Sequence, residues 1–349
     1  MPLLSEWGRP MWCLLRPDGS GASIGAELEL ENMEENSVLG EVKAYGDDEN
    51  VWSASIALAK EAIGAERSGL RIGVERDLLT LHVAEALEAS FPGSELVDVG
   101  PAAFEARLIK SDEEVALLRL GGQLAKIGAS AFMEAQHAGA TEIEVATHAV
   151  AAVERALGAL APNLLSSTYA YCQTGVRSLT PHLHPTGHRL VLGEVVALNV
   201  FPVLSGYCME LERTYVLGGA GGRQAEVLDV VGRSFDLGKE AIRPGVPMRD
   251  IDALCRGVLE EAGLGGYVRH GTGHAHGIMV GNAGREDMGE LRSYNARQLE
   301  PNMVCSVEPG VYIPELGGFR HSDVMLVTED GGECLTTFPR DLAALNLGD

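Results

Sequence analysis

Three polar side chains interrupt an apolar stretch of the sequence between residues 198 and 214. Asn199, Glu210 and Glu212 lie among valine, leucine and phenylalanine residues that predict two strands, with a turn at Ser205-Gly206. Because a carboxylate is costly to bury in apolar surroundings, these side chains need a cation, a metal ion or hydrogen-bond donors. The stretch is therefore the first candidate site. The alternative is that Glu210 and Glu212, which would share one face of a strand, project into solvent.

Further residues capable of acid-base chemistry or ligand binding occur in two histidine-rich loops and at the end of a later strand. Residues 180–188 contain three histidines, and residues 269–276 contain three more. Glu308 ends an apolar strand in the sequence Ser-Val-Glu-Pro-Gly. One such histidine by itself indicates a structural hydrogen bond, but their joint occurrence near strand ends favours a site. The sequence holds no His-Glu-x-x-His or Cys-x-x-Cys motif, so no compact metal motif is predicted.

The chain that carries these residues is strongly acidic. Its 349 residues include 27 Lys and Arg against 50 Asp and Glu, a formal net charge of −23. Such a surface repels nucleic acid and anionic membranes, so neither is an expected partner. Six cysteines are scattered singly, which is typical of reduced thiols and predicts a cytoplasmic location. The sequence predicts neither a secretion leader nor an apolar run long enough to span a bilayer.

The elements that must position the polar residues fall into two predicted domains. Residues 1–108 alternate between strand and helix patterns, which predicts a small α/β domain. Residues 109–349 begin with two amphipathic helices, whose capping boxes start at Ser111 and Thr141, and continue with β segments, two more helices and final strands. Helix pairs that alternate with hairpins predict an α+β domain, in which the helices cover one face of a curved antiparallel sheet.

Several motifs, in order along the chain, resemble one fold family. They are Gly206-Tyr207 with Glu212-Arg-Thr214, Gly271-Thr-Gly-His274 and Val307-Glu-Pro-Gly310. This pattern resembles the pita-bread family, which includes methionine aminopeptidase, prolidase, aminopeptidase P and creatinase. The resemblance implies a C-terminal pita-bread catalytic domain that follows a creatinase-type N-terminal α/β domain. Because the opening β and α segments of that N-terminal domain have no counterpart here, we expect a shortened form of it.

The resemblance also allows the metal ligands of the family to be compared with this chain. The peptidases hold two metal ions with two Asp, one His and two Glu, and the matching positions here are Asn199, Glu210, His274, Glu308 and Ser322. An amide and a hydroxyl are poor replacements for carboxylates around hard divalent ions. The resemblance therefore predicts no two-metal centre and no cofactor. If a metal is present, its expected ligands are Glu210, His274 and Glu308.

The resemblance to creatinase, which needs no metal, is closer. Its pattern matches Leu198-Asn-Val-Phe-Pro202 and Leu211-Glu-Arg-Thr214. By that match, His182 resembles the catalytic histidine, while Glu212 and Glu308 resemble the carboxylates that hold a guanidinium group. The match also implies a homodimer, because in creatinase an arginine and an aromatic residue of the N-terminal domain reach the neighbouring subunit's site. The remaining residues that we assign to substrate binding are Arg285, Trp7, Arg9, His274 and Cys208.

This resemblance predicts a metal-independent hydrolase that cleaves a C–N bond in a small zwitterionic guanidino or amidine substrate. The simplest reaction is hydrolysis of creatine to sarcosine and urea, with His182 as general base and then general acid. Differences from creatinase leave other functions open, since Cys208 stands where creatinase has Tyr, Ser322 where it has His, and Glu210 adds a carboxylate. The alternatives are an ectoine-type cyclic amidine hydrolase, an Xaa-Pro-type metallopeptidase with a degenerate metal site, and a catalytically inactive binding domain.

Overall fold

Two compact units make up the chain in the computed structural model, which describes residues 9–64, 69–278 and 289–340. The first unit ends at Phe104 and the second begins at Glu105. Among the described helices, none combines the length and the apolar character needed to cross a membrane.

The N-terminal unit mixes short strands with helices, as the alternating sequence pattern predicts. Its elements are β1 Trp12–Leu15, β2 Gly21–Ala26, α1 Leu30–Asn36, β3 Glu41–Tyr45, α2 Val51–Ile63, β4 Arg71–Val74, α3 Leu81–Ser90 and β5 Glu95–Asp98, and α4 Gly100–Leu108 leads into the second unit. Strand β2 pairs antiparallel with β1 and parallel with β3, and β4 pairs parallel with β5. The core of the first sheet forms where Ala22 and Ile24 of β2 pack against Ala59 and Ala62 of α2.

The C-terminal unit is built from two helix pairs and antiparallel sheets. Its helices are α5 Asp112–Ala135, α6 Glu142–Leu160, α7 Gly222–Ala241 and α8 Met248–Glu261. Both predicted capping boxes are present, with the side chains of Ser111 and Thr141 accepting hydrogen bonds from the backbone N–H three residues later. The strands are β6 Tyr169–Thr174, β7 Val195–Phe201, β8 Val203–Leu204, β9 Tyr207–Cys208, β10 Leu211–Val216, β11 Val304–Val307, β12 Gly310–Ile313, β13 Gly317–Arg320, β14 Asp323–Thr328 and β15 Gly331–Cys334.

Each helix pair covers a sheet of its own. The first sheet has the order β10-β7-β6, and its buried side chains pack with those of α5 and α6 in one apolar cluster. The second sheet has the order β11-β14-β15, and residues of α7 and α8 such as Phe235 and Ile251 pack on Val307 and Met325. All pairings within these two sheets are antiparallel. The arrangement confirms the predicted α+β class with helix pairs over antiparallel sheets.

Two backbone contacts between these parts bring the polar segments together. Isolated bridges join Glu212 of β10 to Ser322, and Ala275 to Cys305 of β11. The segment around Ala275 can approach β11 closely because residue 273 is glycine: a Cβ there would collide with the carbonyl oxygen of Ser306. The first sheet, the histidine-rich segment and the second sheet therefore meet at one place.

Candidate functional site

The polar residues of the predicted strand pair are buried, which excludes the alternative of a solvated strand face. Asn199 and Glu212 lie directly opposite each other in the β7–β10 register and are each 2% exposed. Glu210 lies just before β10 and is 4% exposed. Since buried carboxylates need partners, the surroundings of these side chains define the candidate site.

The carboxylate of Glu210 faces two imidazole rings. Its Oε2 lies 3.5 Å from Nε2 of His274, and its Oε1 lies 3.6 Å from Nε2 of His276. The Nδ1–H of His274 donates to the Ala275 carbonyl at 3.1 Å, and the Nδ1–H of His276 donates to the Cys208 carbonyl at 3.2 Å. These hydrogen bonds fix both rings so that their Nε2 atoms point to Glu210. The hydroxyl of Ser322 also donates to Glu210 Oε1, at 2.7 Å.

A guanidinium group from the chain itself lies between the other two carboxylates. Arg320, the last residue of β13, donates through Nη2 to Oε1 of Glu212, and its Nη1 lies 3.8 Å from Oε2 of Glu308. Its Nη2 also donates to Oδ1 of Asn199 at 3.3 Å. Oε1 of Glu308 lies 3.6 Å from Nε2 of His274, so Glu308 links the two halves of the cluster.

Burial and neighbouring charges shift the protonation of this cluster. Burial raises the pKa of Glu212 to about 8, against the opposing charge of Arg320, and Glu210 and Glu308 add to the rise. Burial would also raise the pKa of Glu210, but His276 and His274 outweigh it and hold that pKa well below its ordinary value. Burial alone would lower the pKa of His274, but Glu210 and Glu308 raise it to about 9. Arg320 stays charged, so Glu212 is the group whose charge is most easily changed by a ligand.

The loop that carries His182 is tied to this cluster by two amides. Nε2 of Gln173 donates to the carbonyls of Pro181 and Leu183, both at 2.9 Å, and so holds the peptide groups on either side of His182. Oε1 of Gln173 accepts from Nδ2 of Asn199 at 2.9 Å. A chain of contacts therefore runs from the His182 loop through Gln173 and Asn199 to Arg320. His182 itself is exposed.

The structure brings together some of the residues singled out in the sequence. Glu210, Glu212, His274 and Glu308 form one contiguous cluster through Arg320 and the histidines. The backbone of Cys208 belongs to its edge, and burial raises the pKa of the Cys208 thiol to about 12.

Three expected substrate-binding residues are not part of the described cluster. Arg9 lies in the N-terminal unit, where it pairs with Asp47. Trp7 and Arg285 lie outside the described residues.

Three residues of the cluster were not predicted from the sequence. His276 lies in the histidine-rich segment 269–276 and Arg320 lies two residues before Ser322, but nothing in their spacing indicates that both side chains turn inward. Gln173 lies on β6 without any motif around it. The strand period could have indicated His276, because it is two residues from His274 and so shares its face on an extended backbone.

The family's two-metal centre does not fit the residues present. Asn199 offers a neutral amide, whose oxygen accepts from Arg320 and whose nitrogen donates to Gln173. Ser322 offers a hydroxyl that donates a hydrogen bond to Glu210. The guanidinium of Arg320 adds a fixed positive charge beside Glu308. Two neutral replacements and a cation in the same place disfavour a pair of divalent ions.

Comparisons with known proteins agree on one family. The sequence profile of metallopeptidase family M24 matches residues 116–329, and that of the creatinase/prolidase N-terminal domain matches residues 6–109. A creatinase from Bacillus sp. (strain B-0618) is 36% identical over 274 residues, which are 77% of this chain and 67% of the relative. A putative dipeptidase from Bacillus subtilis (strain 168) is 32% identical, over 87% of this chain and 80% of its own. The structure of an Xaa-Pro dipeptidase from Bacillus anthracis superposes with a TM-score of 0.79 at 26% identity, over 92% of this chain and 86% of that one.

Proposed function

This chain belongs to metallopeptidase family M24, as a creatinase-like member with the pita-bread fold, and we propose that it hydrolyses a C–N bond in a zwitterionic guanidino or amidine compound. The simplest such reaction is creatine and water to sarcosine and urea. The hydrolysis of a cyclic amidine of the ectoine type is the nearest variant of the same chemistry.

The observation that carries this proposal is an incompletely paired, buried carboxylate. Oε2 of Glu212 has no hydrogen-bond partner among the described residues, although Glu212 is almost fully buried. A buried carboxyl oxygen without a donor is unfavourable, and its desolvation is the main reason that the pKa of Glu212 rises to about 8. An amidinium group supplies N–H donors and a positive charge in one planar unit. Such a substrate would therefore satisfy Glu212 and favour its ionised form.

Arg320 supports the same assignment. It contacts Oε1 of Glu212 and Oε2 of Glu308, and so orients both carboxylates. The opposite oxygens, Oε2 of Glu212 and Oε1 of Glu308, are left for a ligand and for His274. In this proposal Arg320 orients the carboxylates, and the planar cationic group of the substrate binds at Oε2 of Glu212, which Arg320 leaves free.

His182 is the proposed general base and acid. Its imidazole accepts a proton from water as the water oxygen bonds to the C=N carbon, and returns that proton to the leaving nitrogen as the C–N bond breaks. By resemblance, Arg285, Arg9 and Trp7 would bind the substrate carboxylate, with Arg9 and Trp7 contributed by the second subunit of a homodimer. We also propose that the protein is located in the cytoplasm, which the six free thiols support.

A second candidate is an Xaa-Pro-type dipeptidase with a single metal ion. It is favoured by the contacts of His274 with Glu210 and Glu308, at 3.5 and 3.6 Å, and by the dipeptidase relatives. A divalent ion held by these three residues would supply Lewis-acid chemistry for peptide hydrolysis. If the protein is such a dipeptidase, turnover requires the ion and falls when a chelator removes it.

One substrate screen separates the candidates. Purified protein is incubated with creatine, ectoine and Xaa-Pro dipeptides, with and without a chelator, and the products are identified by mass spectrometry. Chelator-resistant cleavage of creatine or ectoine supports the proposal, whereas chelator-sensitive dipeptide cleavage supports the second candidate. No turnover of any compound would favour a binding domain.

The same assay tests the role of His182. His182→Ala should lower turnover by roughly 10²–10⁴-fold, the usual contribution of a general base, while substrate binding stays largely intact. His188→Ala, which removes an exposed histidine from the same loop, is the matched control and should retain activity. Near-normal turnover by His182→Ala would sink the assignment.

A further inference from the structure

The imidazole rings of His274 and His276 and the carboxylate of Glu210 form a set of ligand atoms that all lie within 4.8 Å of one another. No other His, Cys, Asp or Glu set in the described ranges is as compact. Each histidine faces a different oxygen of Glu210: Nε2 of His274 lies 3.5 Å from Oε2, and Nε2 of His276 lies 3.6 Å from Oε1. Both separations are close to the roughly 3.3–3.4 Å expected between ligand atoms of a tetrahedral ion with bonds of about 2.0–2.1 Å. Small side-chain movements would bring one ligand atom of each residue onto one ion.

A second observation points independently to a ligand at this place. His276 is 1% exposed, yet its Nε2 has no hydrogen-bond partner among the described residues. Buried polar atoms are nearly always hydrogen-bonded, so this nitrogen lacks a partner that a bound ion would supply. Because Nδ1 donates to the Cys208 carbonyl, Nε2 is the ring nitrogen of His276 that faces Glu210 and can accept an ion.

We propose that Glu210, His274 and His276 bind one divalent transition-metal ion, with His276 as a ligand outside the set of positions that the family uses. Two imidazoles and one carboxylate suit Zn²⁺, Fe²⁺, Co²⁺ or Mn²⁺ better than Mg²⁺ or Ca²⁺. The backbone carbonyls on both Nδ1 atoms and the Ser322 hydroxyl on Glu210 form the outer shell that orients such ligands.

The number of ions follows from Arg320. Its guanidinium lies against Glu212 and Glu308 and supplies a fixed positive charge there. Because Arg320 already contacts both of these carboxylates, and Asn199 and Ser322 stand where the family has carboxylates, a second divalent ion would lack ligands there. The site therefore takes one ion per chain.

This inference goes beyond the proposed function, because the ion is measured without any substrate. The proposed hydrolysis assigns its steps to His182, Glu212 and Glu308, so a failed substrate screen leaves the metal site standing. Conversely, a protein that turns over creatine but binds no ion would retain the proposed function and lose this site.

The test is a titration of chelator-treated, full-length protein with Co²⁺, followed by its visible d–d absorption, and with Zn²⁺ by calorimetry. We expect one ion per chain. His276→Gln should weaken binding by at least about 10- to 100-fold, since even the loss of an outer-shell partner has that effect. Glu210→Gln, which is nearly isosteric, should weaken it similarly and serves as the second variant if His276→Gln does not fold.

The matched control is His270→Gln. His270 is half-buried, and its ring nitrogens are engaged by the Gly271 carbonyl at 2.8 Å and the Tyr312 hydroxyl at 2.7 Å. It should bind Co²⁺ as the unaltered protein does. Thermal melts confirm that each variant is folded before titration. The proposal is overturned if the unaltered protein binds neither ion, if it binds two, or if folded His276→Gln and Glu210→Gln bind as tightly as His270→Gln.

Discussion

Among single residues, Arg320 determines how the three buried carboxylates can coexist. Without a guanidinium between them, Glu212 and Glu308 would repel each other in a site from which water is largely excluded. The contacts of Arg320 with Glu212, Glu308 and Asn199 compensate part of that charge. They also fix which carboxylate oxygens remain for a ligand. Binding of the proposed cationic substrate would therefore depend on a residue that is itself a cation.

Removal of Arg320 should be strongly destabilising. Arg320→Met leaves Glu212 and Glu308 buried without their cation, so we expect the free energy of unfolding to fall by about 3–5 kcal/mol. In the double variant with Glu212→Gln, much of that loss should be recovered, because one of the uncompensated carboxylates is gone. Urea denaturation measures both. The control is Arg119→Met, which breaks an exposed pair with Glu333 and should cost no more than about 1 kcal/mol. Equal losses in the two single variants would contradict this account.

His321, which lies next to the site, makes the stability of the folded protein depend on pH. Its Nδ1 accepts from the Thr214 N–H at 3.4 Å, and burial together with Arg213, Arg340 and Lys239 lowers its pKa well below the ordinary value. Asp323 does not offset these cations fully, because it is already paired with Arg213 and Lys239. His321 therefore stays neutral in the folded protein at pH values where it is protonated in the unfolded chain.

The sign of this effect follows from proton binding. Below the ordinary histidine pKa of about 6.5, the unfolded chain binds a proton that the folded protein does not, so stability falls as the pH falls. His321 contributes at most about 1.4 kcal/mol per pH unit to that slope. In His321→Asn, whose Oδ1 can accept from the same N–H, the slope should be shallower by up to that amount. Urea denaturation between about pH 5 and 7.5 measures it, and an unchanged slope would contradict the assignment.

Among the elements, strand β6 has a function beyond its place in the sheet. Gln173 projects from β6 to the carbonyls of Pro181 and Leu183, and Asn199 of β7 holds the other end of its amide. Asn199 matches a metal-ligand position of the family, but in this chain its side chain connects the cluster to the His182 loop. Where the family is expected to have a metal ligand, this chain therefore has a residue that helps to position the His182 loop.

Gln173→Glu should loosen the His182 loop. The carboxylate would face two carbonyl oxygens without a proton to donate, which costs about 1–3 kcal/mol for the unsatisfied buried groups. We expect faster amide hydrogen exchange in residues 180–186 and a lower kcat with little change in KM. Gln224→Glu is the matched control, because its amide also donates to a carbonyl, that of Gly193, but at the surface. Equal exchange in both variants would show that Gln173 does not hold the loop.

The elements that the sequence predicts well are those with strong local signals. The capping boxes at Ser111 and Thr141 and the long amphipathic helices after them are local patterns, and both helices are present. Strand β3 was not predicted, because Glu41–Tyr45 is mostly half-buried and carries no clear alternation.

The inward orientation of Arg320 and His276 depends on contacts between β10, β13 and the segment beside β11, which are far apart in sequence. Spacing alone could identify Glu210, Glu212, His274 and Glu308 as candidates. It could not indicate that Arg320 already lies between two of them, or that His276 rather than Glu308 completes the compact set with Glu210 and His274.

For the whole molecule, the central question is whether one chain is sufficient for activity. Every residue of the described cluster belongs to the C-terminal unit. Arg9, which the resemblance assigns to the neighbouring subunit's site, belongs to the N-terminal unit and pairs there with Asp47. If the proposed homodimer shares residues in this way, each substrate-binding site needs residues from both subunits, and an isolated chain contains no complete site.

Mixed dimers provide the test of that arrangement. Arg9→Ala and His182→Ala should each be nearly inactive as pure dimers, because one lacks the proposed carboxylate-binding residue and the other the proposed base. In a dimer with one subunit of each kind, one site would combine an intact His182 with an intact Arg9 from the partner. Random pairing of equal amounts forms such dimers half of the time, so co-expression should restore about a quarter of the unaltered activity. If Arg9 instead serves the site of its own chain, both sites of the mixed dimer are defective and co-expression restores nothing; light scattering establishes that the mixed sample is dimeric.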